Sequence, residues 1–426
     1  MSPRGQGAAA RPEALATQLA FLRASREVSD TTRRLKGDLA RLQAPGSAFS
    51  RHPSDLFRAH LPPVLAHLRW LDAEHAAAVH LSDTASQLAD PDMRLALLRM
   101  GGPRLEAAWM GSTLLAIWLD FPHLAEVVLR ECPAYGTERL LRKLHPWHTL
   151  MAPALKALAS GETGRVEAVA VDLPALTGYL SREFAATREA VRTAAQRTET
   201  ALRVKEIVEL LTTASAMTWA LPRLPPSAPL TLGLTLGAGA PGVMLGSQVV
   251  LTAEGVEMLR RLVQAGVLSP SVVSAAVRIQ AGQVLMAQAH DELPRGVREA
   301  LGEGPEVRGM RVTGRAGAGL SEAPRHHVLP REFREWFEQR GFTGELSIDR
   351  FCVRMERARH EAIHGGGSWR LGREWPGEWN RMIMTALRRA ERRTGRQLTR
   401  NEVLDLVAEA MKQYNLPMNF TSWNGR

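Results

Sequence analysis

Residues 324–342, PRHHVLPREFREWFEQRGF, and residues 359–372, RHEAIHGGGSWRLG, hold four histidines in two pairs. Spacing decides how each pair can be used. His326 and His327 are adjacent, so on an extended strand they point to opposite faces. A bend in a β-ribbon lets one meet a metal ion and the other the substrate. His360 and His364 stand four apart and share a helix face, where both imidazoles reach a single ion. Gly365-Gly366-Gly367 stops that helix just past the second histidine. His326, His360 and His364 thus make a three-imidazole set for one divalent ion, with a coordination position left open. Zinc suits it first, with Mg2+, Mn2+ or Ni2+ as alternatives. His327 remains as a general base, a task for which an imidazole pKa near ~6.5 is suited.

The flanking sequence fills in a small domain. Arg331–Arg340 reads as an amphipathic helix with Phe333, Trp336 and Phe337 inward, ended by Gly341, and Leu346-Ser347-Ile348-Asp349 reads as a short strand. Cys352, if it falls in the strand before the His360 helix, is a small core residue. Trp379 to Arg393 makes an amphipathic helix with Ile383, Leu387 and Ala390 inward and Arg388, Arg389, Arg392 and Arg393 outward. Thr399 with Glu402 forms a capping box for a last helix through Tyr414. From residue 316 onward 19 Lys and Arg stand against 14 Asp and Glu, most of them on solvated helix faces. Arg370 and Arg373, in the loop beyond the metal helix, and Arg325 beside the doublet are the candidate nucleic-acid contacts.

Two other readings compete. His360-Glu361-Ala362-Ile363-His364 also spells H-E-x-x-H, the zinc metalloprotease motif with Glu361 as base. That motif needs a third ligand downstream. Metzincin spacing places Arg370 there, and the nearby gluzincin candidates, Glu378 and Glu391, read as surface residues. The protease reading also leaves the doublet idle. The other competitor is a non-enzymatic helical interaction protein with a degenerate metal site, since either histidine pair alone is compatible with solvated polar residues.

The stretch PRHHVLPREFREWFEQRGF…SIDRF…RHEAIHGGGSWRLG…GEWNRMI resembles the C-terminal toxin domain of a myxobacterial paralogous lipoprotein family. Those domains look like HNH, or endonuclease VII-type, nucleases related to the AHH group. The resemblance covers residues 320–420 and implies a ββα-metal fold, a metal-dependent nuclease activity on DNA or RNA, and an antibacterial toxin exchanged between kin cells and countered by a cognate immunity protein. It also implies His326 as first metal ligand, His327 as general base, and His360 and His364 as helical ligands. The middle Asn of an HNH motif has no counterpart; Asp349 takes its place, holding the hairpin and orienting the base. Two departures stand out: Arg325, not alanine, precedes the doublet, and the lipoprotein signal is missing.

Upstream, the chain reads as carrier. Its 426 residues allow two or three domains, and a hydrophobic share of 45% supplies real cores. The net charge of +10, carried mostly by arginine, favours polyanionic partners, nucleic acid first and anionic membrane second. Cys132 and Cys352 are the only cysteines, which excludes a disulfide framework and a Cys-x-x-Cys metal knuckle. MSPRGQGAAARPEALATQ has neither an apolar signal core nor a cysteine to acylate, so the chain as written starts in the cytoplasm, and any export uses a specialised route or a different start.

Residues 1–11 read as disordered. Leu15, Leu19, Leu22, Leu35, Leu39 and Leu42 form the apolar stripe of one or two basic helices, broken at Ala44–Ser47. From Ser54 to residue 220 helices succeed one another, with stops at Pro62-Pro63, Pro91, Gly101-Gly102, Pro133 and Pro146. Residues 181–220 read as one long helix, and Trp70, Trp109, Trp118, Trp147 and Trp219 as core anchors. Residues 224–253 carry no charge, but Leu230, Leu232, Leu234 and Leu236 alternate, so a β-hairpin fits better than a transmembrane helix, with transient membrane contact as its other use. Helices 253–267 and 269–290 and a Gly-rich linker follow. The expected fold is mainly α, with a basic N-terminal segment (1–50), a helical carrier (51–223), a mid-chain β-hairpin with helices (224–290), a linker (291–315) and a C-terminal ββα-metal α+β domain (316–426).

Overall fold

The computed structural model describes residues 4–51, 61–132, 135–198, 258, 261–269, 325–355, 379–414 and 416–423. They are mainly helical, with one small antiparallel sheet of two strands.

Helix α4 (Pro91–Glu131) is the axis of the helical region. Asp90 caps it by accepting from the Asp92 and Met93 amides, and Pro91, lacking an N–H, sits in its first turn where none is needed. Beyond that turn α4 is apolar nearly all round, the pattern of a helix with neighbours on every side. Those neighbours are α1 (Arg4–Gln43), α2 (Ala48–Arg51), α3 (Leu61–Ser86), α5 (Thr137–Ala159) and α6 (Thr163–Thr198). By length and composition α4 could span a bilayer, but 83% of its apolar window is buried inside the protein, as in the core helix of a bundle.

Several sequence expectations are corrected here. Gly101-Gly102 does not stop α4. A Cβ at Gly102 would overlap the Val267 carbonyl, so glycine is there to let another backbone approach. That backbone is the turn 261–269, whose Gly266 has φ +68° and whose Val267 and Gly266 amides donate to Leu262 and Val263. This is a Schellman turn, the ending left-handed glycine permits. Arg99, Gly102 and Glu106 form one stripe of α4 that receives it: Arg99 Nε donates to the Ala265 carbonyl at 2.7 Å, and the Ser269 amide donates to the Glu106 carboxyl.

Pro146 lies inside α5, not at a stop, whereas Pro62-Pro63 fall in the first turn of α3, where proline is tolerated. Residues 4–11, read as disordered, belong to α1, where Ala8-Ala9-Ala10 favour helix. The inward face of α1 also differs. Leu35, Leu39 and Leu42 are buried, but Leu15 and Leu19 are about half exposed, and Ala14, Phe21, Ala24 and Val28 face the core instead. Gln18 donating to the Ser82 carbonyl, and Ser25 bonded to His75, fix that rotation. Helix α6 begins at Thr163, well before the expected 181. Trp118 is buried, and Trp70 and Trp109 pack against the core. The helix start at Ser54, residues 199–220 with Trp219, the hairpin 224–253 and the linker 291–315 lie outside the described residues.

In the C-terminal region β1 (Arg325–His327) pairs antiparallel with β2 (Cys352–Arg354), His326 opposite Val353 and His327 opposite Cys352. Between them, a 3-10 turn at Arg331–Phe333 leads into α7 (Arg334–Glu338). Leu346 lies in a second such turn (Gly344–Leu346) and Ile348 and Asp349 in a third (Ile348–Arg350), not in a strand; β2 starts at Cys352, because the Ile348 carbonyl is taken by the Phe351 amide. Rings of Trp336, Phe337, Phe342, Phe351 and Phe420 follow one another edge to face at 5.0–5.9 Å, a core built from aromatic quadrupoles. Helix α8 (Trp379–Thr394) buries Ile383, Leu387 and Ala390 and exposes its arginines, and α9 (Arg400–Gln413) starts with the Thr399–Glu402 capping box.

This region docks on the α3–α4 corner through polar groups. Asp405 accepts from the Ala89 and Asp90 amides at 2.9–3.1 Å, Lys412 reaches Asp90 and Asp92 at 2.5 and 2.6 Å, and Asn401 donates to Gln87 at 2.7 Å. Arg104 of α4 bridges Glu74 and Glu345.

Candidate active site

Strand alternation sets the doublet. His326 is 1% exposed and lies edge-on to the Trp379 ring, centroids 5.9 Å apart. Trp379 is held in turn by its Nε1–H donating to the Val328 carbonyl at 2.9 Å. His327 points to the opposite face, where its Nε2 lies 3.1 Å from Asp349 Oδ1. The 3-10 turn that displaced the expected strand brings Asp349 back under β1.

Asp349 is itself clamped, with Arg334 Nη2 donating to both carboxylate oxygens at 2.8 and 2.9 Å. That ion pair holds its carboxyl below the usual range, with His327 pulling the same way. An ionised carboxylate only accepts, so Nε2 of His327 carries the proton and Nδ1 keeps its lone pair. Burial lowers the His327 pKa, the Asp349 contact opposes that, and Arg331 and Arg334 add to it. The imidazole is therefore neutral at pH 7. Burial pushes the Cys352 thiol up to about 12, so it stays protonated and inert.

Segment 416–423 straps this face. The Thr421 amide donates to the Cys352 carbonyl and the Trp423 amide to the Asp349 carbonyl, both at 2.7 Å. Arg325 and Arg350 donate to the Ser422 carbonyl and hydroxyl, both at 2.8 Å. Trp423 lies against His327, ring centroids 5.0 Å apart, and the Arg331 guanidinium lies over the same indole at 5.6 Å.

Compared with family models, curated proteins and solved structures, the chain finds no match.

Of the residues singled out in the sequence, the structure brings His327 and Asp349 together and sets His326 on the core side. Arg325, expected at nucleic acid, spends one guanidinium nitrogen on the strap. His360, His364, Arg370, Arg373, Glu361 and Glu378 lie outside the described residues. Among the described residues no three His, Cys, Asp or Glu side chains converge as a metal site; of the expected ligands only His326 is among them. Glu391 is not a free surface carboxylate: it pairs with Arg340 at 2.6 Å and accepts from the Leu398 amide. Three contributors escaped the sequence reading: Arg334, Arg331 and Trp423. Arg334 and Arg331 look like solvated charges of a helix with mixed charge, and no local signal marks Trp423.

Proposed function

We propose that the protein is a metal-dependent phosphodiesterase of nucleic acid, with His327 as general base. The observation carrying this is the His327–Asp349 pair, whose carboxylate fixes the tautomer and leaves Nδ1 facing away as a base. In this reading Nδ1 takes a proton from water as the water oxygen bonds to phosphorus and the ester P–O bond breaks. Arg334 keeps Asp349 ionised, so the carboxylate stabilises the imidazolium that forms. Arg331, exposed at the rim and paired with no carboxylate among the described residues, contacts a flanking phosphate. His326, His360 and His364 would hold one divalent ion, zinc first, which supplies positive charge to the phosphate and the departing oxygen. The resemblance adds an antibacterial effector role with an immunity protein as partner.

Commitment of Glu391 to Arg340 weakens the protease alternative, because it occupies one of the two carboxylates open to that mechanism. The deciding experiment incubates the purified full chain with plasmid DNA and with total RNA, with and without chelator, and measures its metal content. Chelator-sensitive cleavage of one substrate and about one divalent ion per chain are expected. Inert protein without bound metal sinks the proposal.

A further inference from the structure

Trp423 lies far from the doublet in sequence, yet its indole touches both groups that the proposed reaction uses. One contact is to His327, at 5.0 Å between ring centroids with the planes at 54°, and the other to the Arg331 guanidinium, 5.6 Å from the indole centroid. The backbone of Trp423 is fixed by the residue that orients His327, since its amide donates to the Asp349 carbonyl at 2.7 Å. Asp349 thus ties to His327 through its carboxylate and to Trp423 through its carbonyl. Behind it, Thr421 is bonded to Cys352, Ser422 is held by Arg325 and Arg350, and Phe420 packs edge-to-face on Phe351 at 5.1 Å. A loose chain segment makes no such set of ties, each of which costs conformational entropy to form.

We infer that Trp423 is a positioning residue of the candidate site, holding the His327 ring against Asp349 and the Arg331 guanidinium at the rim. The inference rests on the phosphodiesterase reading for its kinetic consequence but not for its structural one. A hydrogen bond from one ring nitrogen leaves the imidazole free to swing about that bond. The indole edge blocks the swing on one side. Stacking a guanidinium on an aromatic face costs little desolvation and leaves its N–H groups free for phosphate oxygens. Losing the indole should therefore damage turnover through His327 and substrate binding through Arg331, two effects that a general loss of stability does not separate.

The test compares the full-length wild type with Trp423→Ala and Trp423→Phe. Turnover is measured on a short oligonucleotide, and the His327 ring carbon–proton signal, identified by its loss in His327→Ala, is followed by NMR. Trp423→Ala should lower kcat about 100-fold, the scale of a misplaced catalytic group, and raise KM several-fold. It should also shift and broaden the His327 signal, with bound metal unchanged. Trp423→Phe should recover most of kcat while KM stays raised, because the smaller ring still walls His327 but stacks the guanidinium less well. An unshifted His327 signal in Trp423→Ala overturns the inference, and so does equal loss in Ala and Phe. If the wild type itself cleaves nothing, the phosphodiesterase reading falls, and the NMR signal still decides whether Trp423 holds His327.

Discussion

The helical region and the C-terminal region handle polar groups in opposite ways. Around α4 buried polar side chains are answered one at a time: Gln18 by the Ser82 carbonyl and Glu106 by the Ser269 amide. Around β1 the polar groups converge on one face, where His327, Asp349, Arg334 and Arg331 crowd together and Arg331 has no carboxylate partner among the described residues. The first arrangement supports a core. In the proposed reading the second holds charge for a substrate, and substitutions in each region test that contrast between scaffold and site.

The largest effect should come from the site. His327→Ala should cut cleavage about 1,000-fold, the middle of the range for loss of a general base, with a modest drop in melting temperature, because the ring packs on Trp423 but Asp349 keeps its Arg334 partner. Asp349→Asn should lose less, since the imidazole remains but its tautomer is no longer enforced. Cleavage by His327→Ala at the wild-type rate would erase the contrast between the regions. Glu361→Gln is the companion measurement: a loss as deep as that of His327→Ala would revive the metalloprotease reading.

The scaffold breaks differently. Gly102→Val places branched carbon where the Val267 carbonyl already sits, and neither backbone can withdraw without giving up the Arg99 and Glu106 contacts on either side. We expect destabilisation of about 1–3 kcal/mol by denaturant melting, with cleavage by the folded fraction unchanged. A stable Gly102→Val would mean that the turn 261–269 does not dock on α4.

The two regions should also part with pH. Burial pushes the Glu106 carboxyl up to about 7, only partly countered by the Ser269 amide, and the Glu27 carboxyl also stands near 7 through burial. For a carboxyl raised above its ordinary 4.5, the stability is fully present below that value and is lost as pH rises through about 7. Asp349 and His327 are both lowered, so their contribution is present above their ordinary values and lost as pH falls through the depressed ones. Melting of the helical region should therefore fall as pH rises from about 4.5 to about 7 and level off above that, and Glu106→Gln should flatten that slope. A slope unchanged in Glu106→Gln would assign the effect to Glu27 or to another group.

Local patterns in the sequence were legible and tertiary choices were not. The Thr399–Glu402 box and the inward spacing of Ile383, Leu387 and Ala390 depend on neighbours within one helix. Gly101-Gly102 was misread because a glycine that permits close approach looks the same in sequence as one that ends a helix. Leu15 and Leu19 were misread because period alone marks a stripe, whereas the seat of Phe21 against Gly101 selects the face. In the site, Asp349 was found through the resemblance and in the wrong element. Trp423 and Arg331 were invisible because their partnership depends on the path of the strap across β2.

The smallest effect concerns the joint between the regions. Lys412 sits between Asp90 and Asp92 and is 40% exposed, so water screens much of the attraction, although both carboxylates raise its pKa. Exposed pairs of this kind contribute about 1 kcal/mol or less. Asp405 strengthens the joint from the other side by accepting the Ala89 and Asp90 amides, where the N-terminal end of α4 favours a negative charge. Lys412→Glu should turn two attractions into repulsions beside that carboxylate. The C-terminal region should then melt a few degrees earlier and separately from the helical region, more so in low salt, where repulsion is least screened. Cleavage should hold, because none of the groups around His327 belongs to the joint. A fall in cleavage alongside intact melting would show instead that the Arg104–Glu345–Arg350 contacts carry the docked geometry through to Ser422 and the strap, and the two regions would have to be treated as one functional unit.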